Sequence, residues 1–222
     1  MFLDNRSCFH KMDILKLYKY AFYLALFTIF YNILEGLISV FFGITDESFT
    51  LLGFGLDSFI EVMSGIGIAH MVIRVRNNPD SDRDRFEHTA LRITGISFYI
   101  LTAGLVISSG YNIITGHKPV TTIWGIIISL LSITIMLLLV YGKRKVGLRL
   151  NSAAIIADAE CTKVCIYMSV ILLVASVAYE LFRIPYIDSL GALGLAYYSF
   201  KEGRECFEKI KTGSHCSCDT TE

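Results

Sequence analysis

Stretches of about 20 predominantly apolar residues recur along this chain, and no other feature of the sequence restricts its folding so severely. Six are bounded by polar and charged residues, at 20–42, 49–72, 93–113, 122–141, 152–178 and 184–200, the last being marginal in length. A helix rising 1.5 Å per residue crosses a hydrocarbon core about 30 Å thick in that distance. Helices also satisfy their own backbone polar groups in lipid. With 54% hydrophobic and only 18% charged residues, the remainder outside the runs is too small for a soluble domain. The expected fold is therefore an all-α membrane protein, a six-transmembrane-helix bundle. Its parts are an N-terminal segment 1–19, a transport domain 20–200 and a tail 201–222.

Basic residues set the orientation. Arg6, Lys11, Lys16 and Lys19 precede the first run, and Arg74, Arg76, Arg83, Arg85 and Arg92 separate the second from the third. Lys143, Arg144, Lys145 and Arg149 follow the fourth; Lys201, Arg204, Lys209 and Lys211 follow the sixth. Lys118 and Arg183 fall on the other side and Lys163 inside a run, so the positive-inside rule predicts cytoplasmic termini. No small-residue cleavage site marks the first run as a removable signal, and the expected location is a multi-pass position in the inner cell membrane.

Several functions are excluded by missing motifs. The sequence has no glycine-rich phosphate loop, hydrolase elbow or dinucleotide fingerprint, which argues against an enzyme and against a bound cofactor. No basic stripe with interleaved aromatics offers a surface to nucleic acid.

Chemistry concentrates in the second and fifth runs. "LDSFIE" places Asp57 and Glu61 at i, i+4 near mid-membrane, on one helix face. One charged group there costs about 2.5 to 3.5 kcal/mol, so two together need compensation, either by protonation and hydrogen bonding between helices or, as the sharper reading, by a bound cation. "DAECTKVC" places Cys161 and Cys165 at the same spacing. Helical neighbours keep their Cβ atoms about 5 to 6 Å apart, too far for an easy disulfide, so both sulfurs can point at a common object. Two carboxylates and two thiols make four donors, the number a tetrahedral zinc-type site needs. Ser48 and Ser152 each precede the first donor of their run by nine residues, a faint internal repeat of the kind that brackets midplane sites in transporters.

These residues resemble the cation diffusion facilitators, six-helix exporters of divalent metals that take one ligand pair from helix two and one from helix five. "GFGLDSFIE", the late cysteine of "ADAECTKVC" and "EGRE" at 202–205 are most similar to a small subgroup of cation transporters without the cytoplasmic C-terminal domain. The resemblance covers nearly the whole chain. Its implied ligands are Asp57, Glu61, Cys161 and Cys165, with Glu61 and the two cysteines departing from the family's usual Asp and His. Thiols move the expected cargo toward zinc and cadmium.

Other polar residues receive supporting roles. Asn32, Glu35, Asp158 and Asp188 are expected to contact the ligands or line the path, Asp188 matching an aspartate common in the family. Glu160 and Lys163 are spaced to pair on a face away from the metal. His215, Cys216 and Cys218 in the tail form a second candidate metal site. The expected function is secondary export of a divalent transition metal, zinc foremost, in exchange for protons; a membrane thiol oxidoreductase and a membrane metal sensor are the alternatives. Expected partners are the metal cation, the lipid bilayer and a second copy of the chain, although the family's usual dimer-forming domain is not visible in this sequence.

Overall fold

The computed structural model describes residues 4–77, 84–116, 119–150, 153–184 and 186–212. The tail site at His215, Cys216 and Cys218 lies outside the described residues. Six helices succeed one another: α1 (Asp4–Thr45), α2 (Phe49–Asn77), α3 (Asp84–Thr115), α4 (Ile123–Leu150), α5 (Ala153–Phe182) and α6 (Tyr186–Thr212). No strand occurs among the described residues. The helices outrun the apolar stretches that foretold them. The segment 4–19 is continuous with α1, and the basic residues after the fourth run belong to the last turns of α4.

Five helices, α1 to α5, contain segments long and apolar enough to cross a membrane. In α6, Asp188 and the charged residues from Lys201 onward leave an apolar run too short to meet the same criterion. The bundle is apolar outside as well as inside. Ile107, Ile114, Leu138 and Leu181 are each at least 70% exposed, an unfavourable surface in water and a suitable one against acyl chains.

The closest pairings are α1 with α2, α3 with α6 and α4 with α5, and α2 also touches α3, α5 and α6. Leu51, Phe54, Leu101, Leu105, Met168, Leu172 and Leu195 from α2, α3, α5 and α6 form the main core. Small residues let α1 and α2 approach with backbones nearly touching, as is common between membrane helices. A Cβ on Gly55 would lie 2.8 Å from the Val40 backbone nitrogen. Gly55→Val is accordingly expected to force α1 from α2 and cost about 1 to 3 kcal/mol. Thermal unfolding in detergent measures this, and an unchanged midpoint would contradict the packing.

Helix ends are closed by specific bonds. At the end of α1, Glu47 (φ 58°) takes the left-handed conformation while Ser48 N–H donates to Gly43 O at 2.9 Å and Glu47 N–H to Ile44 O at 3.3 Å, a Schellman closure. Two acids, Asp188 buried and Glu180 partly so, then cap helices other than their own. Asp188, in the first turn of α6, accepts from Ser48 Oγ at 2.7 Å and from the Phe49 and Thr50 N–H groups at 2.8 and 3.4 Å, all at the start of α2. Glu180 of α5 accepts from Thr122 N–H at 2.6 Å and Thr121 Oγ1 at 2.8 Å at the start of α4.

Asp188 thus acts as a bracket at the end of the bundle. Asp188→Ala would strand several buried donors at once and is expected to cost about 2 to 4 kcal/mol. The thermal midpoint of the purified variant tests this; wild-type stability would mean that water replaces the carboxylate without cost.

Candidate metal centre

Asp57 lies eight residues into α2, about 12 Å along its axis. It falls in the middle of the apolar segment Phe49–Gly67. Glu61 comes one turn later on the same face, and α5 passes so that Cys165 meets this pair. One carboxylate oxygen from each acid and the Cys165 Sγ all lie within 4.8 Å of one another. Donors around a tetrahedral ion of zinc's size are about 3.3 to 3.8 Å apart, so closure on a metal needs side-chain shifts of about an ångström. Asp57 and Cys165 are buried and Glu61 partly so.

Cys161 is not a member of this group. The Cys165 thiol donates to the Cys161 carbonyl at 3.3 Å, an ordinary i−4 helical contact, while the Cys161 side chain is only half-buried one turn away. Equal spacing gave the two cysteines equal standing in the sequence; the way α5 crosses α2 favours the later one.

The surroundings are acidic. Asn32 on α1 donates through Nδ2 to Glu61 Oε2 at 2.6 Å. Glu35, one turn along α1, accepts from Tyr31 OH at 2.7 Å and Ser58 Oγ at 3.2 Å, which places it beside the pair rather than at a membrane surface. Asp57 also lies within electrostatic range of Glu35 and of Glu202 on α6. Glu202 is buried, although the sequence marked it only as part of a resemblance. Asp57 Oδ1 has no hydrogen-bond partner. Glu61, Glu35 and Glu202 thus lie near Asp57, whose Oδ1 is unsatisfied, and a divalent cation would offset this concentration of acidic groups.

Two residues of the expected supporting set have partners of their own. Asp158 is not in the converging group and forms an ion pair with Lys143 Nζ at 2.8 Å. Lys143, counted in the sequence among the basic residues that follow the fourth run, is only 2% exposed and also donates to Thr162 Oγ1 at 2.9 Å. Charge composition alone cannot reveal which of the consecutive basic residues Lys143, Arg144 and Lys145 turns inward. Lys143 also lies within electrostatic range of Glu61, which makes it a cation serving the acidic cluster. Asp188, the other expected pathway residue, is engaged at the start of α2. The Glu160–Lys163 pair forms as the spacing predicts, at 2.5 Å and partly exposed.

No curated protein matches the chain closely enough to count as a relative. The family model of the cation efflux transmembrane domain matches residues 25–210, a region containing the whole acidic cluster and every donor grouped with it. The chain therefore belongs to the cation efflux family, the cation diffusion facilitators, and is an integral multi-pass membrane protein that transports cations.

Proposed function

We propose that this protein is a secondary transporter that exports a divalent transition metal, zinc or a close relative such as cadmium, from the cytoplasm across the inner cell membrane in exchange for protons. The reading is carried by one observation: oxygen donors of α2 and a sulfur donor of α5 converge within 4.8 Å at the middle of the bundle. Mixed oxygen and sulfur donors suit zinc and cadmium better than magnesium. The basic residues favour cytoplasmic termini, with the α4–α5 connection on the same side. Rocking of the helices would open the centre to each side in turn. Carboxylates and a thiol must lose protons to bind metal, so proton uptake can drive release. A thiol oxidoreductase gains no support, because Cys165 is grouped with carboxylates rather than with a second thiol.

Flux of zinc, cadmium and manganese into proteoliposomes, measured with and without a pH gradient, tests the proposal. Failure to move any of these ions would overturn it. Cys165→Asp is expected to remain active, with cadmium losing ground to zinc and manganese gaining, since carboxylate is the harder donor. Its binding should also reach half-maximum at lower pH, because reference thiol and carboxyl groups titrate near about 8.5 and 3.9. An unchanged cation order in an active Cys165→Asp variant would show that the thiol does not touch the ion.

A further inference from the structure

Three donors do not close a tetrahedron, and Cys161 is not among those that converge. On the facing helix, Asn32 is completely buried and holds Glu61 Oε2 through its Nδ2 at 2.6 Å. Its other terminal atom, Oδ1, is buried and accepts no hydrogen bond. Both atoms are bonded to one carbon, so this carbonyl oxygen is held next to the carboxylate that Nδ2 grips. An amide oxygen without a partner in an apolar bundle is costly unless something electropositive completes it.

We propose that Asn32 Oδ1 is the fourth ligand of the transported cation, completing a centre of three oxygens and one sulfur with Asp57, Glu61 and Cys165. This rests on the reading of that centre as the transport site. It brings a third helix, α1, into direct contact with the cargo, while Nδ2 keeps Glu61 oriented in the same clasp. It also changes the cargo class: one thiolate rather than two makes the centre less selective for cadmium and better suited to the borderline ions zinc and cobalt(II).

Cobalt(II) is a suitable probe because its visible bands report tetrahedral geometry and its near-ultraviolet charge-transfer band reports the number of thiolates. The purified full-length protein is titrated with cobalt in detergent. Wild type is expected to bind one ion with tetrahedral bands and single-thiolate intensity. Cys161→Ser should leave affinity and spectrum unchanged. Asn32→Ala should weaken binding by about 100-fold, the upper end of the loss expected for a group that only orients a ligand. Asn32→Asp separates ligation from orientation. A carboxylate can bind the metal but cannot donate to Glu61, so affinity within about tenfold of wild type supports ligation. Asn32→Cys should add a second thiolate's charge-transfer intensity.

An Asn32→Asp variant as weak as Asn32→Ala would overturn the proposal in favour of a purely orienting role. So would loss of thiolate intensity in Cys161→Ser, a variant that leaves α1 untouched. Wild-type affinity in Asn32→Ala would likewise overturn the fourth ligand while leaving the transport reading intact. Failure of the wild-type protein to bind cobalt would overturn both.

Discussion

Asp57→Ala is expected to abolish cation flux in proteoliposomes while the protein still inserts and purifies as an intact bundle. Asp57 supplies one of the converging oxygens, and its Oδ1 has nothing else to bind. A ligand to the cargo matters more than groups that orient ligands, whose loss costs about 10- to 100-fold in affinity. Stability should move the other way. Removing one carboxylate from a buried group that includes Glu35 and Glu202 relieves a charge worth about 2.5 to 3.5 kcal/mol at mid-membrane. In cation-free buffer the variant should therefore unfold at or above the wild-type temperature. Asp57→Asn, which keeps the volume, should be equally inactive. Wild-type flux in either variant would remove the acidic pair from the transport cycle.

The second large effect concerns the ion pair between α4 and α5. Lys143 and Asp158 are 2% and 7% exposed, and their charged atoms are 2.8 Å apart. Desolvation makes such a pair a modest net stabiliser, but removing one partner strands the other. Lys143→Met and Asp158→Leu are each expected to cost about 3 to 5 kcal/mol, with the double variant recovering most of the loss. Thermal unfolding of the three variants in one detergent gives the coupling. Additive losses would mean that each residue acts through other neighbours.

Features that are one-dimensional were legible in the sequence, and features that depend on helix crossing were not. Long apolar runs and an i, i+4 acidic pair in an apolar segment are visible without knowing how helices cross; α1 to α5 are found as expected, and Asp57 and Glu61 share one face of α2. Choosing between Cys161 and Cys165 requires the crossing of α5 over α2, which spacing does not contain. Lys143 was hidden for a related reason: the positive-inside rule counts charge near a helix end without regard to helix face. Glu202 stands among charged residues just past the last apolar run, so only the packing of α6 against α2 reveals that it lies near Asp57. Asp188 is an acid in the first turn of α6, yet its carboxylate serves the neighbouring helix α2.

That bracket restricts how the bundle can move. With Asp188 holding Ser48, Phe49 and Thr50, the beginnings of α2 and α6 are latched together, and α1 is joined to α2 by close backbone packing. Parting α2 from α6 at that end would break all three bonds in a setting with little water to replace them. A transport cycle that preserves the latch must treat the end as a fulcrum, swinging α4 and α5 as the opposing arm. Cys165 then rides on the arm while Asp57 and Glu61 stay with the base, so each stroke would lengthen or shorten the sulfur's reach to the ion.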